Sequence, residues 1–326
     1  MTISVLFSSA GRRVELINCF REDAVELGIE LRVLAADFQP ELSAACQVAE
    51  KHFAVPRCDN ARFVPRMQEI CAGEHVDLVI PTIDPELAPL AAARAAFAAA
   101  GTRLVVSGVE TVAIARDKLR TAAVLSQHGI PFARSVALER LIANPGALRF
   151  PVVLKPVDGS ASIGLREARD TAEIERAAID VRRYLAQEKW TGREYTVNLF
   201  VDRSGRLRSA VPHWRREIRA GEVSKGRTER VPQLIDLAGR IASALPDASG
   251  PLCFQAIVTE SGQAVVFEIN ARFGGGYPLA HRAGARFSRW LLEEAAEMPS
   301  TADVFWQEGV TMLRYDAAVF SIPGKK

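Results

Sequence analysis

The stretch VVFEINARFGGGYPLA, residues 265–280, sets an acid and an amide two residues apart inside an apolar run of strand character. Side chains alternate faces along a strand. Val266, Glu268 and Asn270 are therefore expected on one face, and Val265, Phe267 and Ile269 on the other. The preceding PLCFQAIVTESGQAVVF reads as a strand, a turn at Ser261-Gly262 and the return strand. A two- or four-residue loop flanked by Glu260 and Gln263 would set Gln255 opposite Glu268, and Cys253 opposite Asn270. Gln255, Glu268 and Asn270 then share a face, and one carboxylate with neutral amides suits Mg²⁺, which completes its shell with water and phosphates. A polar cluster on the solvent side of an antiparallel sheet would show the same pattern.

Around this hairpin the chain has ordinary globular composition: 326 residues, 48% hydrophobic, 25% charged, formal net charge +2. That length suits two or three domains. The spread of arginines and lysines points away from nucleic acid and towards a local groove for phosphates. No apolar run reaches the length of a membrane span, and the N-terminus is too short in its apolar part for a signal peptide. Five widely spaced cysteines without a CxxC pair argue against a disulfide scaffold or zinc site and for a reducing cytoplasm.

Upstream, residues 1–110 alternate strands (ISVLFS, ELRVLAAD, HFAVP, VDLVIPT, RLVVSG) with helical segments. This is the pattern of right-handed βαβ units in an open parallel, Rossmann-like sheet. Ligands of such sheets bind at the carboxyl ends of the strands. Ser8, Ser9, Gly11, Arg12, Asp37, Thr82, Asp84 and Glu86 are expected there, of which Ser9, Arg12, Asp84 and Glu86 are the candidate substrate contacts. The first loop, SSAGRR, lacks the G-x-G-x-x-G fingerprint. From residue 111 the character changes. A helix is expected up to Gly129, then a strand FPVVLKP ending at Lys155 and a small-residue loop from Asp158 to Gly164. A helix DTAEIERAAIDVRRYLAQ capped at Asp170 is expected next, then a hairpin turning at Arg203-Ser204-Gly205. Small residues beside a lysine let backbone N–H groups approach phosphate oxygens, although the spacing is not that of a P-loop. A flexible surface loop with a snorkelling lysine reads the same way.

Taken in order, these pieces resemble the ATP-grasp superfamily over residues 111–300. They are Lys118 on a helix, Lys155 with its Gly/Ser loop, QEKWTGREYTV, and the Gln255/Glu268/Asn270 cluster. The preceding βαβ unit looks like the pre-ATP-grasp domain of carboxylate–amine ligases. SSAGRR, IPTIDPEL, EVSKG and INARFGGGYPLA are similar to segments of the carbamoyl-phosphate-synthase-like ATP-grasp proteins, the group that includes the pyrrolysine-pathway ligase. The resemblance implies three units: 1–110 pre-ATP-grasp, 111–190 small (lid) subdomain and 191–326 large subdomain with the Mg²⁺ site. It also implies that Lys118 and Lys155 hold the ATP phosphates, with Ser160, Ser162 and Gly164 on the closing loop. Gln187, Glu188 and Trp190 would grip the adenine from a linker, and Glu194 the ribose. Glu268 and Asn270 would hold one or two Mg²⁺ (or Mn²⁺) with Gln255, which stands where many relatives have an acid. Arg272 and Lys225 would be catalytic at the transferring phosphoryl group, with Arg215 and Arg216 as further cations nearby.

The expected activity is an ATP- and Mg²⁺-dependent ligation of a small carboxylate to an amine through an acyl phosphate, with amino-acid-like substrates and no nucleic-acid or membrane partner. A homodimer is expected by analogy. The alternatives are carbamate or carbamoyl phosphate chemistry on bicarbonate, and a catalytically silent ATP-binding module.

Overall fold

The computed structural model describes residues 1–157, 164–177 and 179–321. Ser160 and Ser162 lie outside the described residues. Five parallel strands open the chain: β1 (Thr2–Ser8), β2 (Glu30–Asp37), β3 (Lys51–Ala54), β4 (Leu78–Pro81) and β5 (Arg103–Leu104), in the order β3-β2-β1-β4-β5. Their alternation feeds two cores. Val5 and Phe7 of β1 and Val33 and Ala35 of β2 pack with the helix Val14–Leu27, whereas Leu6, Leu34 and Ala36 pack with Phe63–Glu74 and Asp84–Ala99. Helices on both faces are what make these strands apolar throughout. Strand order reverses between β1 and β4, so the loops after these two strands flank the crevice where such sheets receive ligands.

A small antiparallel sheet follows: β6 (Ser135–Ala137), β7 (Val152–Pro156), β8 (Arg166–Ala168) and β9 (Tyr184–Glu188), ordered β6-β9-β7-β8. Its own core runs from Leu138 to Ala186, whereas Val112, Ile114, Leu125 and Ile130 pack into the core shared by the two larger sheets. The large sheet, β14-β13-β10-β11-β12-β15, is antiparallel: β10 (Arg193–Val201), β11 (Leu207–Arg219), β12 (Glu222–Thr228), β13 (Gly250–Val258), β14 (Ala264–Asn270) and β15 (Thr311–Leu313).

Two helical expectations are corrected. The helix expected over 111–128 is two helices, Val109–Arg116 and Lys118–Gln127. Asp117 divides them, accepting from the N–H groups of Leu119 at 2.9 Å and Arg120 at 3.0 Å. A capping side chain competes with helix continuation there and puts Lys118 at a helix start. The helix expected over 170–187 stops at Arg176, with Asp170 as its cap. Residues 184–188 are β9, because Leu185 and Ala186 are needed to pair with β7.

The hairpin of the opening stretch keeps its expected partners, though for a different reason. Its loop is the five residues Thr259–Gln263, closed by hydrogen bonds from Thr259 N–H to Gln263 O and from Gly262 N–H to Thr259 O, both 2.9 Å. Pairing near the turn is Val258 with Ala264 and Ile257 with Val265. A bulge at Phe267 then restores Gln255 opposite Glu268 and Cys253 opposite Asn270. The bulge also changes the faces: Val266 and Ile269 enter the core, while Val265, Phe267 and Glu268 face a cleft.

The three glycines after β14 are explained by close approach. A Cβ on Gly276 would stand 2.6 Å from His213 Nε2, one on Gly275 2.5 Å from Glu222, and one on Gly274 3.1 Å from Cys253 Sγ. His213 is fully buried, and burial, with Arg215 and Arg314 nearby, pushes its pKa down to about 3, so the ring is neutral. Gly276→Ala is therefore expected to destabilise the fold by about 1–3 kcal/mol through overpacking. Urea unfolding measures this, and an unchanged midpoint would mean that the ring moves aside freely.

Candidate active site

Between the small and large sheets lies a cleft of about 360 Å³. Lys155, at the end of β7, and Gln187 and Glu188, on β9, form its upper wall; Glu194, Arg215, Gln255, Phe267 and Glu268 form the lower one. Trp190, in the short connection from β9 to β10, closes the back. Lys118 lines this cleft and a smaller one that it shares with Asp84, Glu268 and Asn270. A third cavity, about 150 Å³, adjoins through Arg215, Gln255 and Glu268 and extends to Arg13, Asp84, Arg272 and the three glycines. Glu268 thus borders all three spaces.

Charge is arranged unevenly here. Glu194 and Arg215 form an ion pair; Arg215 also donates to Gln255 Oε1 at 2.9 Å and to the carbonyl of Gly221 at 2.8 Å. Arg272 pairs with Asp84 at 2.5 Å and donates to Asn270 Oδ1 at 3.2 Å and Phe273 O at 3.0 Å. Burial works against the Arg272 charge, yet Asp84 beside it holds its pKa above the ordinary value. Glu268, in contrast, has no hydrogen bond or ion pair among the described residues. Lys155 is buried with its ammonium 4.9 Å from the centre of the Phe267 ring. Burial pulls its pKa down to about 8, against the attraction of Glu268, and Lys118 lowers it further.

These features fit the groups that the resemblance implies. The buried Trp190 Nε1, Arg215 Nε and Arg272 Nε have no protein partner among the described residues, and a buried donor without an acceptor is costly. A cleft of this size, apolar in Ile257, Val265 and Phe267 and cationic at Lys118 and Lys155, accommodates an aromatic base and its phosphates. Glu268, with Asn270 and Gln255 beside it, offers the hard oxygens for Mg²⁺, although the two amide oxygens now accept from arginines.

Several sequence-derived candidates are placed otherwise. Lys225 is half-exposed and pairs at 2.6 Å with Glu217, its cross-strand neighbour, so it borders none of these clefts. Arg215 stands there instead, while Arg216 leans on the Trp214 ring at 5.7 Å. Glu86 is fully buried and closes the crevice loops: it accepts from Ser8 Oγ at 2.5 Å, Ser9 Oγ at 2.9 Å and the N–H of Thr82 at 2.7 Å. Glu86 and Ser9 are therefore occupied with each other rather than presented to a substrate. Gln187 and Glu188 belong to a strand rather than a linker, and Gln187 donates to Ser135 Oγ at 2.9 Å. Arg12 is mostly exposed; its neighbour Arg13, overlooked in the sequence, reaches the inner cavity and sits 2.9 Å from Glu222. Gly164, at φ +75°, lies against Tyr184 and Pro156.

Lys155 carries a pH dependence. With its pKa pulled down to about 8, its charge is full well below that pH, half lost at it and gone well above it. Nucleotide bound to the charged form should weaken above pH 8 and take up a proton there, which calorimetry in buffers of different ionisation enthalpy detects. Lys155→Arg should remove the proton uptake, since a guanidinium stays charged; uptake that persists would assign the titration elsewhere.

Comparison with known proteins accords with this geometry. Residues 5–105 match the family model of the PylC-like N-terminal domain, and residues 115–276 that of the ATP-grasp domain. The D-alanine–D-alanine ligase of Pseudomonas entomophila is 28% identical over 217 residues, covering 60% of this chain and 68% of that protein. The fold is shared with the biotin carboxylase domain of Hydrogenobacter thermophilus 2-oxoglutarate carboxylase, solved with MgADP (TM-score 0.73, 16% identity, 92% of this chain and 71% of that one). It is shared too with the L-amino acid ligase of Bacillus licheniformis (TM-score 0.68, 19% identity, 92% and 76%). With a PylC-like domain ahead of an ATP-grasp domain, the chain belongs to the ATP-grasp family of ligases.

Proposed function

We propose that the protein joins a small carboxylic acid to an amine through an acyl phosphate, with amino-acid-like substrates, and that its units divide near residues 110 and 190. The observation that carries this reading is the common border of the clefts at Glu268. The nucleotide cleft and the inner cavity meet where Arg215, Gln255 and Glu268 line both. A γ-phosphate reaching down from Lys118 and Lys155 arrives at the place where an acid held in the inner cavity presents its oxygen.

Phosphoryl transfer asks for positioning and neutralised charge rather than a protein nucleophile. A substrate carboxylate oxygen bonds to the γ-phosphorus as the bond to the β-bridging oxygen breaks, releasing ADP. The amine then attacks the acyl carbon, the C–O bond to phosphate breaks, and the amine's proton leaves to solvent or phosphate. Lys118 and Lys155 bind the phosphates, Arg215 and Arg272 face the transferred group, and Trp190 orients the nucleotide. Mg²⁺ held by Glu268, Asn270 and Gln255 would supply electrostatic stabilisation of the phosphate oxygens. The small sheet covers the cleft from water, which acyl phosphates do not survive.

The test is ADP release from purified protein with Mg²⁺ and ATP across a matrix of amino acids, small carboxylates, bicarbonate and ammonia. Release that needs one carboxylate and one amine together supports ligation. Release with bicarbonate and ammonia alone would replace it by carbamoyl phosphate chemistry, and nucleotide binding without turnover by a silent module.

A further inference from the structure

Glu222 opens β12 and carries more positive charge around it than it can neutralise. Its carboxylate lies 2.9 Å from Arg13 Nη1, 2.7 Å from Arg314 Nη1 and 3.6 Å from Arg12 Nη2. Three guanidinium groups share one carboxylate, so two of their charges have no ion-pair partner of their own; Glu15, which also lines the wider space, accepts a hydrogen bond from Asn18 instead. The other arginines of the surroundings are matched, Arg282 by Glu22 and Arg219 by Asp316.

Arg13 and Glu222 stand at a junction, with Arg12 and Arg314 on its outer side. Arg13, Glu222, Gly274 and Gly275 border the inner cavity on one side and, on the other, a wider cavity of about 600 Å³. The wider space is walled by Phe273, Pro278, Leu279 and Met312, and Arg12 lies at its rim.

We propose that the wider cavity is a substrate subsite in which Arg12, Arg13 and Arg314 hold a second, non-reacting carboxylate attached to an apolar stem, with Glu222 as the internal counterion. This rests on the ligase reading above and names its substrate class: the pair of substrates carries one carboxylate more than the reaction consumes. A guanidinium recognises a carboxylate through two parallel N–H···O bonds, and a cavity of this size holds a stem of several carbons. That carboxylate comes either from a dicarboxylic acid whose other end is activated in the inner cavity, or from the amine when the amine is itself an amino acid.

Binding distinguishes these sources without requiring turnover. Protein loaded with Mg·ADP is titrated calorimetrically with glutarate against its monoamide, and with norvaline against norvalinamide. Glutarate binding lost in the monoamide assigns the group to the acid; norvaline binding lost in the amide assigns it to the amine. In either case Arg12→Ala, which removes a largely exposed side chain, is expected to weaken that binding about tenfold or more, and Arg314→Ala likewise. Glu222→Gln should tighten it about threefold, by removing the competing charge, a change of sign that structural damage would not produce. Binding indifferent to the amide exchange or to Arg12→Ala, or no binding in either series, overturns the subsite. Failure of Mg·ADP itself to bind would count against the ligase reading instead.

Discussion

Glu268→Gln is expected to lower Mg²⁺-dependent ADP release by more than about 100-fold, beyond the 10–100-fold typical of losing an outer-shell partner of a metal, while leaving the fold as stable as before. The reason lies in how the other acids of the clefts are used. Glu194 is paired with Arg215, Asp84 with Arg272, Glu222 with Arg13 and Arg314, and Glu188 lies 3.5 Å from Arg134. Glu268 borders the same spaces with no partner among the described residues. Among the described acids of these clefts, its charge is the one not taken up by an ion pair, and Lys155 and Arg272 feel it only at longer range. Glutamine keeps the shape and removes the charge, and because no ion pair is broken, stability should change by no more than about 0.5 kcal/mol. Displacement of bound Mn²⁺ by Mg²⁺ in the presence of ADP gives a readout separate from turnover. A variant that retains both metal affinity and ADP release would sink the metal assignment.

Glu268 and Asn270 were legible because a polar residue at every second position of an apolar strand contradicts burial unless something polar lies opposite. The parallel sheet was legible for the complementary reason: strands covered on both faces have no polar side, and the helices between them carry a 3.6-residue period. What the sequence concealed is where local signals are silent or compete. The bulge at Phe267 adds one residue to a strand, and a five-residue loop offsets the count by one in the other direction, so the expected partners survived a wrong turn. Lys225 looked available because its partner, Glu217, is eight positions away on the neighbouring strand and no period connects them. Arg12 and Arg13 are adjacent in a loop, where nothing in the sequence says which of the two points inward. Asp117 could have been recognised: an aspartate directly before KLR is a helix start as much as a helix interior residue.

Arg272→Met is expected to abolish turnover and also to destabilise the protein by about 3 kcal/mol, because it strands Asp84 in a largely buried position. A single variant therefore cannot separate a role at the phosphoryl group from a role in holding the crevice loop to the end of β14. The pair can be separated by a cycle. Asp84→Asn leaves the arginine in the cavity, where Asn270 Oδ1 at 3.2 Å and Phe273 O at 3.0 Å still hold it. That variant should lose stability yet keep measurable ADP release, since the guanidinium still faces the inner cavity. The double variant Asp84→Asn/Arg272→Met removes both charges and should recover most of the stability lost in the Arg272 single variant without recovering turnover. If turnover instead tracks stability across the four proteins, Arg272 is a structural link between the two domains and the phosphoryl group is met by Arg215 alone. If turnover follows the presence of Arg272 whatever the stability, the charge acts on the reaction. The buried ion pair then serves as the means by which the parallel sheet aims a cation at the substrate.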